Sequence, residues 1–287
     1  MTTRWHRDLA VSTQVTAISS KHLYRRRGLL ILPLLETLVV VVYAIEGASR
    51  PLDGATRQAA VAISVARFST VIGPVTLLVG GLVAIWLLLP DIQEQSSALF
   101  VMAAGRPERY FASKFASTLI LATVALLPAI LGFLALAVYA GVPDTGSATT
   151  LLLTDTVLNV VILVSLLFAL GMLLDPIVAA TAAAALFGVG SAFDYLWQLR
   201  PVGRPYGGYA LISYVRWIVP DPLGNDFSRF YLAAYTTHAL PPGSRAAFMA
   251  GIVQTLHQSA SWDYWHAFAV VAVATATGVL FARFRTF

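Results

Sequence analysis

The chain has 287 residues, 58% of them hydrophobic and 11% charged, with a mean hydropathy of +0.76. One soluble domain could not hide that much apolar surface, so a lipid bilayer must be part of the solvent. The formal charge of +5 would suit nucleic acid only if the basic residues formed a stripe on a soluble face. They lie between apolar runs instead, as Lys and Arg of cytoplasmic loops do, so no nucleic-acid partner is expected. The absence of cysteine excludes a disulfide framework, thiolate metal sites and thiol catalysis.

In chain order, residues 1–27 predict an amphipathic helix lying on the membrane surface, with Trp5, Leu9, Val15, Ile18 and Leu23 set among charged and hydroxyl residues. The first apolar run follows Arg25, Arg26 and Arg27 and is trailed by no small-residue cleavage pattern; it is expected to be retained as a membrane span. A bilayer core of about 30 Å needs about 20 apolar residues in a helix. Six segments meet or approach that length: 28–46, 68–89, 115–140, 156–174, 177–193 and 267–282. Pro90 is expected to close the second, and Asp175-Pro176 to make a tight break between the fourth and fifth. Trp262, Tyr264 and Trp265 precede the sixth in the manner of an interfacial aromatic belt. The reading is a single all-α, polytopic transmembrane domain of six helices.

Lys and Arg set the orientation. The N-terminal tail, the loop with Arg106, Arg109 and Lys114, and the end with Arg283 and Arg285 are expected inside, which makes both termini cytoplasmic. The segment 194–263 then lies outside. Its length takes it out of reach of the charge rule, and its Gly and Pro punctuation around aromatics predicts a folded extracytoplasmic element, with a helix over 245–258.

The inside loop 91–109 is the most informative stretch. Asp91 and Glu94 open it, an apolar turn from Leu99 to Met102 follows, and a Gly105-Arg106-Pro107 turn ends it before Lys114. This predicts a short helix parallel to the membrane on the cytoplasmic face, whose apolar residues need burial and whose charged ends supply register for a soluble partner. In order and residue type it resembles the coupling segment of ABC-2 type ABC transporter permeases. There an acidic stretch, a Leu-rich helix, a Pro and Arg turn and a Lys leading into the third helix recur; Gln95-Ser96 stands here where many members have Gly-Thr. The basic surface helix, the Asp175-Pro176 turn and the long external segment extend the resemblance over most of the chain. Residues 214–221 are similar to the external segment of the subgroup linked to multicopper-enzyme maturation and to drug or lantibiotic export.

That resemblance implies an exporter permease of the bacterial cytoplasmic (inner) membrane that does no covalent chemistry itself. ATP and Mg would be used by a separate ABC ATPase subunit, present in two copies, and the pathway would be completed by a second permease copy or a paralogue. The coupling residues would be Asp91, Glu94, Leu99, Met102, Arg106 and Pro107, with Asp175 in a second, smaller coupling element. The external segment is a candidate surface for an extracytoplasmic accessory protein. In keeping with an ATPase in trans, no Gly-x-x-x-x-Gly-Lys-Ser/Thr sequence occurs. The alternative reading is a stand-alone secondary transporter or channel, which would show inverted repeats or matching broken helices; Pro33, Pro74 and Pro128 do not mark equivalent halves.

Glu36 is the one acid well inside a span and is the candidate pathway residue, since an intramembrane carboxyl faces the bundle interior or water by default. A neutral or paired structural role at a helix interface is the bland alternative. Asp155, Asp194 and Glu46 lie near span ends, where reaching to water is the simpler expectation. The five histidines have no i, i+4 pair for a metal, and four methionines without cysteine argue against a copper path, so no metal or cofactor is expected on this chain. Ser191 near Asp194 reads as helix packing rather than a nucleophile.

Overall fold

The structure is a computed structural model that describes residues 31–49, 75–93, 106–139, 145–198 and 261–284, with isolated positions among 14–21 and 211–220. Among the described residues every element is a helix: α1 (Ile31–Ser49), α2 (Val75–Leu87), α3 (Leu89–Gln93), α4 (Pro107–Ala125), α5 (Leu127–Tyr139), α6 (Thr145–Leu173), α7 (Pro176–Gln198) and α8 (Ser261–Phe284). Three stretches are long and apolar enough to cross a membrane: Pro107–Gly132, Leu153–Leu173 and Tyr264–Phe284. Val75–Leu87 and Pro176–Gly190 are shorter apolar helices.

The helix boundaries follow from local chemistry. Arg106 precedes a proline and is therefore held extended (φ −153°, ψ 129°), Pro107 takes the first helical position, and Glu108 sits in the first turn of α4. The Lys114 side chain, expected at the membrane surface, consequently lies about two turns inside α4 and is buried. Pro90 does not end the second apolar run. The irregularity comes earlier, at Leu88, whose N–H still reaches the Ala84 carbonyl at 2.8 Å, and Pro90 falls in the first turn of α3, where a missing N–H is tolerated. Between α4 and α5 the Leu126 N–H turns back to the Thr123 carbonyl at 3.1 Å, and Pro128 cannot donate to the carbonyl one turn before it, so the long helix is broken there. α6 ends at Leu173 and α7 restarts at once: the Asp175 carbonyl accepts from the Ala179 N–H at 2.7 Å, with Pro176 in the first helical position.

α6 is the axis of the bundle. It packs against α8, α7, α4, α5 and α3, and its 29 residues reach about 43 Å, more than a hydrocarbon core. Small residues set how near its neighbours come. A β-carbon on Gly80 would stand 2.9 Å from both Val160 methyls, and one on Gly278 would stand 2.4 Å from the Phe168 ring, so α2 and α8 approach α6 only because those two positions are glycine. Phe168 also stacks on Phe115 of α4, centroids 5.0 Å apart, which ties three helices at one ring.

The distribution of side chains is inverted relative to a soluble domain. Leu34, Leu38 and Ile45 of α1, Leu131 and Val138 of α5, and Val273 and Phe284 of α8 are exposed. Glu36, Lys114, Asp155, Asn159 and Ser165 are buried. Apolar side chains turned outward over whole helices are the surface a bilayer solvates. Hydroxyls are satisfied within their own helices, as where Thr118 donates to the Lys114 carbonyl (2.9 Å) and Ser165 to Val161 (2.7 Å).

The crossings give a test. Gly80→Leu and Gly278→Leu overpack α6 and are expected to cost about 1–3 kcal/mol each, read as a melting temperature in detergent lowered by several degrees. Gly188→Ala, where an added β-carbon meets nothing within 4 Å, should not lower the melting temperature.

Candidate functional site

Several chain connections converge at one end of the bundle. Leu89 and Ile92 of α3 bear on Gly171 near the end of α6, where a β-carbon would come within 2.6 Å of Leu89. α3 also touches α7, so the end of α2 is seated beside the Asp175 turn. The first turns of α4 come to the same end, because Phe115 meets Phe168, and so does the last part of α8, because Gly278 meets the same ring. Arg106 is exposed there and stands 3.9 Å from Glu108, a loose solvent-facing pair of little energetic weight. Asp175 is exposed as well, and Leu173, Leu174, Ile177 and Val178 around it present apolar side chains outward. Arg283 closes the last turn of α8 on that end.

The structure thus brings Pro107 and Arg106 to the end that carries Asp175, and α3, which contains Asp91, packs on α6 and α7 at that end. Glu94, Leu99 and Met102 lie outside the described residues, as do most of the surface helix over 1–27 and of the segment 194–263. Glu36 does not belong to this end. It is fully buried in the contact between α1 and α5, where the backbone amide of Ala129 faces its carboxyl. That approach falls short of hydrogen-bond geometry, and among the described residues neither carboxylate oxygen has a partner. Ala129 is 22 positions along from Pro107, roughly 33 Å of helix away from the convergent end.

Asp155 is a residue whose position corrects the sequence expectation. It does not reach to water; it is 3% exposed and accepts a hydrogen bond from the Tyr264 hydroxyl at 2.7 Å. Tyr264, expected as an interfacial anchor, is the half-buried donor of that bond, while Trp265 beside it is exposed and packs near Phe268. The missed signal was a buried acid and a tyrosine, each at the start of its apolar run, which meet when α6 and α8 lie parallel. Farther along the same pair of helices, Thr275 donates to Ser165 at 3.5 Å. Among the described residues no group of three His, Cys, Asp or Glu could hold a metal ion.

With an all-helical bundle, outward apolar faces and three helices of spanning length, the chain is a membrane protein. No family model and no curated protein matches it.

Removing the clamp between α6 and α8 should be measurable. Tyr264→Phe deletes only the hydroxyl and is expected to destabilise by about 1 kcal/mol. A melting temperature equal to that of the wild type would show that the bond contributes nothing.

Proposed function

We propose that this chain is the permease half of an ABC-2 type exporter, moving a substrate across the bacterial cytoplasmic membrane while a separate ATPase subunit hydrolyses ATP. In this reading the chain has six spans, both termini are cytoplasmic, and two copies, or one copy and a paralogue, enclose the pathway with two ATPase subunits. The observation that carries it is the meeting of α3, the Arg106-Pro107 start of α4 and the Asp175-Pro176 turn at one end of the bundle. These are the connections whose sequences resemble coupling elements, and a soluble ATPase can grip several of them at once only if they share an end.

Two further features support the reading. The same end carries Arg106, Arg109 and Arg283, the charge that cytoplasmic ends favour, whereas the opposite end of α6 and α8 carries Asp155 and Tyr264. The apolar fringe of Leu174, Ile177 and Val178 beside exposed Asp175 and Arg106 provides burial for a partner, framed by charge that would fix its register. Closure of the two ATPases on nucleotide would pull on this end and tilt α4 and α7 relative to α6.

Copurification tests it. The affinity-tagged chain, extracted in mild detergent together with the ATPase encoded beside it, should retain that ATPase. Arg106→Glu combined with Asp175→Ala should reduce the ATPase recovered by about tenfold, an interface loss near 1.4 kcal/mol, with helix content unchanged by circular dichroism. Failure of the wild-type chain to retain any ATPase would end the exporter reading in favour of a transporter or channel acting alone.

A further inference from the structure

Glu36 is the described group whose surroundings least match its chemistry. It is 1% exposed. Neither carboxylate oxygen finds a hydrogen-bond partner among the described residues, and the helix opposite, α5, reads LPAILGFLALAVY and supplies no charged side chain. Leaving a buried polar group unsatisfied is unfavourable where nothing around it can hydrogen-bond. The remaining charges of α1 do not relieve it, since Glu46 is also an acid and lies ten positions on. Among the described residues the group facing this carboxyl is the Ala129 backbone amide, and no cationic side chain is placed beside it.

The seam around Glu36 can open without dismantling the core. Among the described residues α1 packs principally on α5, whereas α2, α3, α4, α7 and α8 are bound to α6. One turn beyond Glu36 the crossing is close, with a β-carbon on Gly132 only 2.6 Å from Val40, so the two helices meet there through small and branched apolar groups. Leu35, Leu38, Val42, Leu127 and Leu131 around the contact are exposed. These five described side chains present hydrocarbon to the bilayer beside the carboxyl.

From this we infer that Glu36 is the recognition group for a membrane-partitioned organic cation, which enters between α1 and α5 and pairs its positive centre with the carboxylate. The inference rests on the transport reading above and names the substrate class for it. An organic cation brings the charge that the seam lacks and an apolar shell that the seam accepts.

The probe is tetraphenylphosphonium, with tetraphenylborate as the counterpart of like size and opposite charge. The purified full chain in dodecyl maltoside, a detergent that carries no charge, should bind tetraphenylphosphonium and prefer it to tetraphenylborate. Glu36→Gln should weaken that binding by about tenfold or more, while Glu36→Asp, which keeps the charge, should stay within about threefold of wild type. A second measurement needs no variant: tetraphenylphosphonium should slow carbodiimide labelling of Glu36 in the wild-type chain, located by peptide mass spectrometry, and tetraphenylborate should not. Equal binding of the two ions, unchanged binding by Glu36→Gln, or labelling that ignores the cation would each overturn the inference, the last result leaving the proton or a second copy of the chain as the complement. ATPase retention is read in a separate experiment. A chain that holds its ATPase but ignores the cation refutes the substrate class alone, and a chain that binds the cation without any ATPase refutes the exporter.

Discussion

The close approach of four neighbours to α6 is the constraint from which the rest of the molecule follows. In a bilayer the hydrophobic effect does little to hold one apolar helix against another, so adhesion depends on fit and on the few polar groups that meet. α6 obtains fit from glycines placed on or opposite it: Gly80 under Val160, Gly171 under Leu89 and Gly278 under Phe168. At each, a side chain from one helix fills the space that a missing β-carbon leaves on the other, and these contacts lie at successive levels along α6. The Asp155 to Tyr264 hydrogen bond then fixes the register of α8 at the end remote from the Asp175 turn. A helix held at both ends and at its middle behaves as a rigid post.

Against that post the outer elements divide into two kinds. Among the described residues α2, α3, α4 and α8 are locked to it by aromatic and glycine contacts, whereas α1 is attached mainly through α5, and α5 is joined to α4 across the Leu126 to Pro128 break. Buried polar groups divide likewise. Hydroxyls in the locked part are satisfied by carbonyls of their own helices, so they cost little and permit no rearrangement. Glu36, in the loosely attached part, is not satisfied.

Much of this was legible in the sequence, and what was not has identifiable physical reasons. Apolar length alone announces a helical membrane protein, and Asp175-Pro176 announces its own break because a capping acid followed by proline both ends one helix and starts the next. Pro107 was read as the end of a loop when it is the start of α4; the rule that proline favours the first turn was available, but the polar residues from Glu108 to Lys114 masked the continuity of the helix with the apolar run. The fate of Asp155 could not be read because it depends on a residue 109 positions away, and no local pattern encodes that distance. Glu36 stood out by its hydrocarbon surroundings, but that it faces α5 rather than a lumen is a property of packing. The convergence of α3 with the Asp175 turn is likewise tertiary: each sequence suggested a connection on the same side, and only the contact through Gly171 makes them neighbours.

The geometry also constrains how the two proposed sites could communicate. The convergent end and Glu36 are joined by one nearly continuous path, α4 followed by α5, along roughly 33 Å of helix. α4 is tied to the post by Phe115 near its start, so a displacement applied at Arg106 cannot simply slide the whole helix along its axis. It tilts the helix about the Phe115 contact instead, and the lever arm is longest at the Pro128 break, where the backbone is already released from one hydrogen bond. The Ala129 amide, which faces the Glu36 carboxyl, lies one residue beyond that break. A tilt small at the Asp175 end is therefore largest at the α1 to α5 seam, where Glu36 is buried. Coupling by this route needs no relay of side chains: a rigid helix, a fixed contact near one end and a break near the other are sufficient.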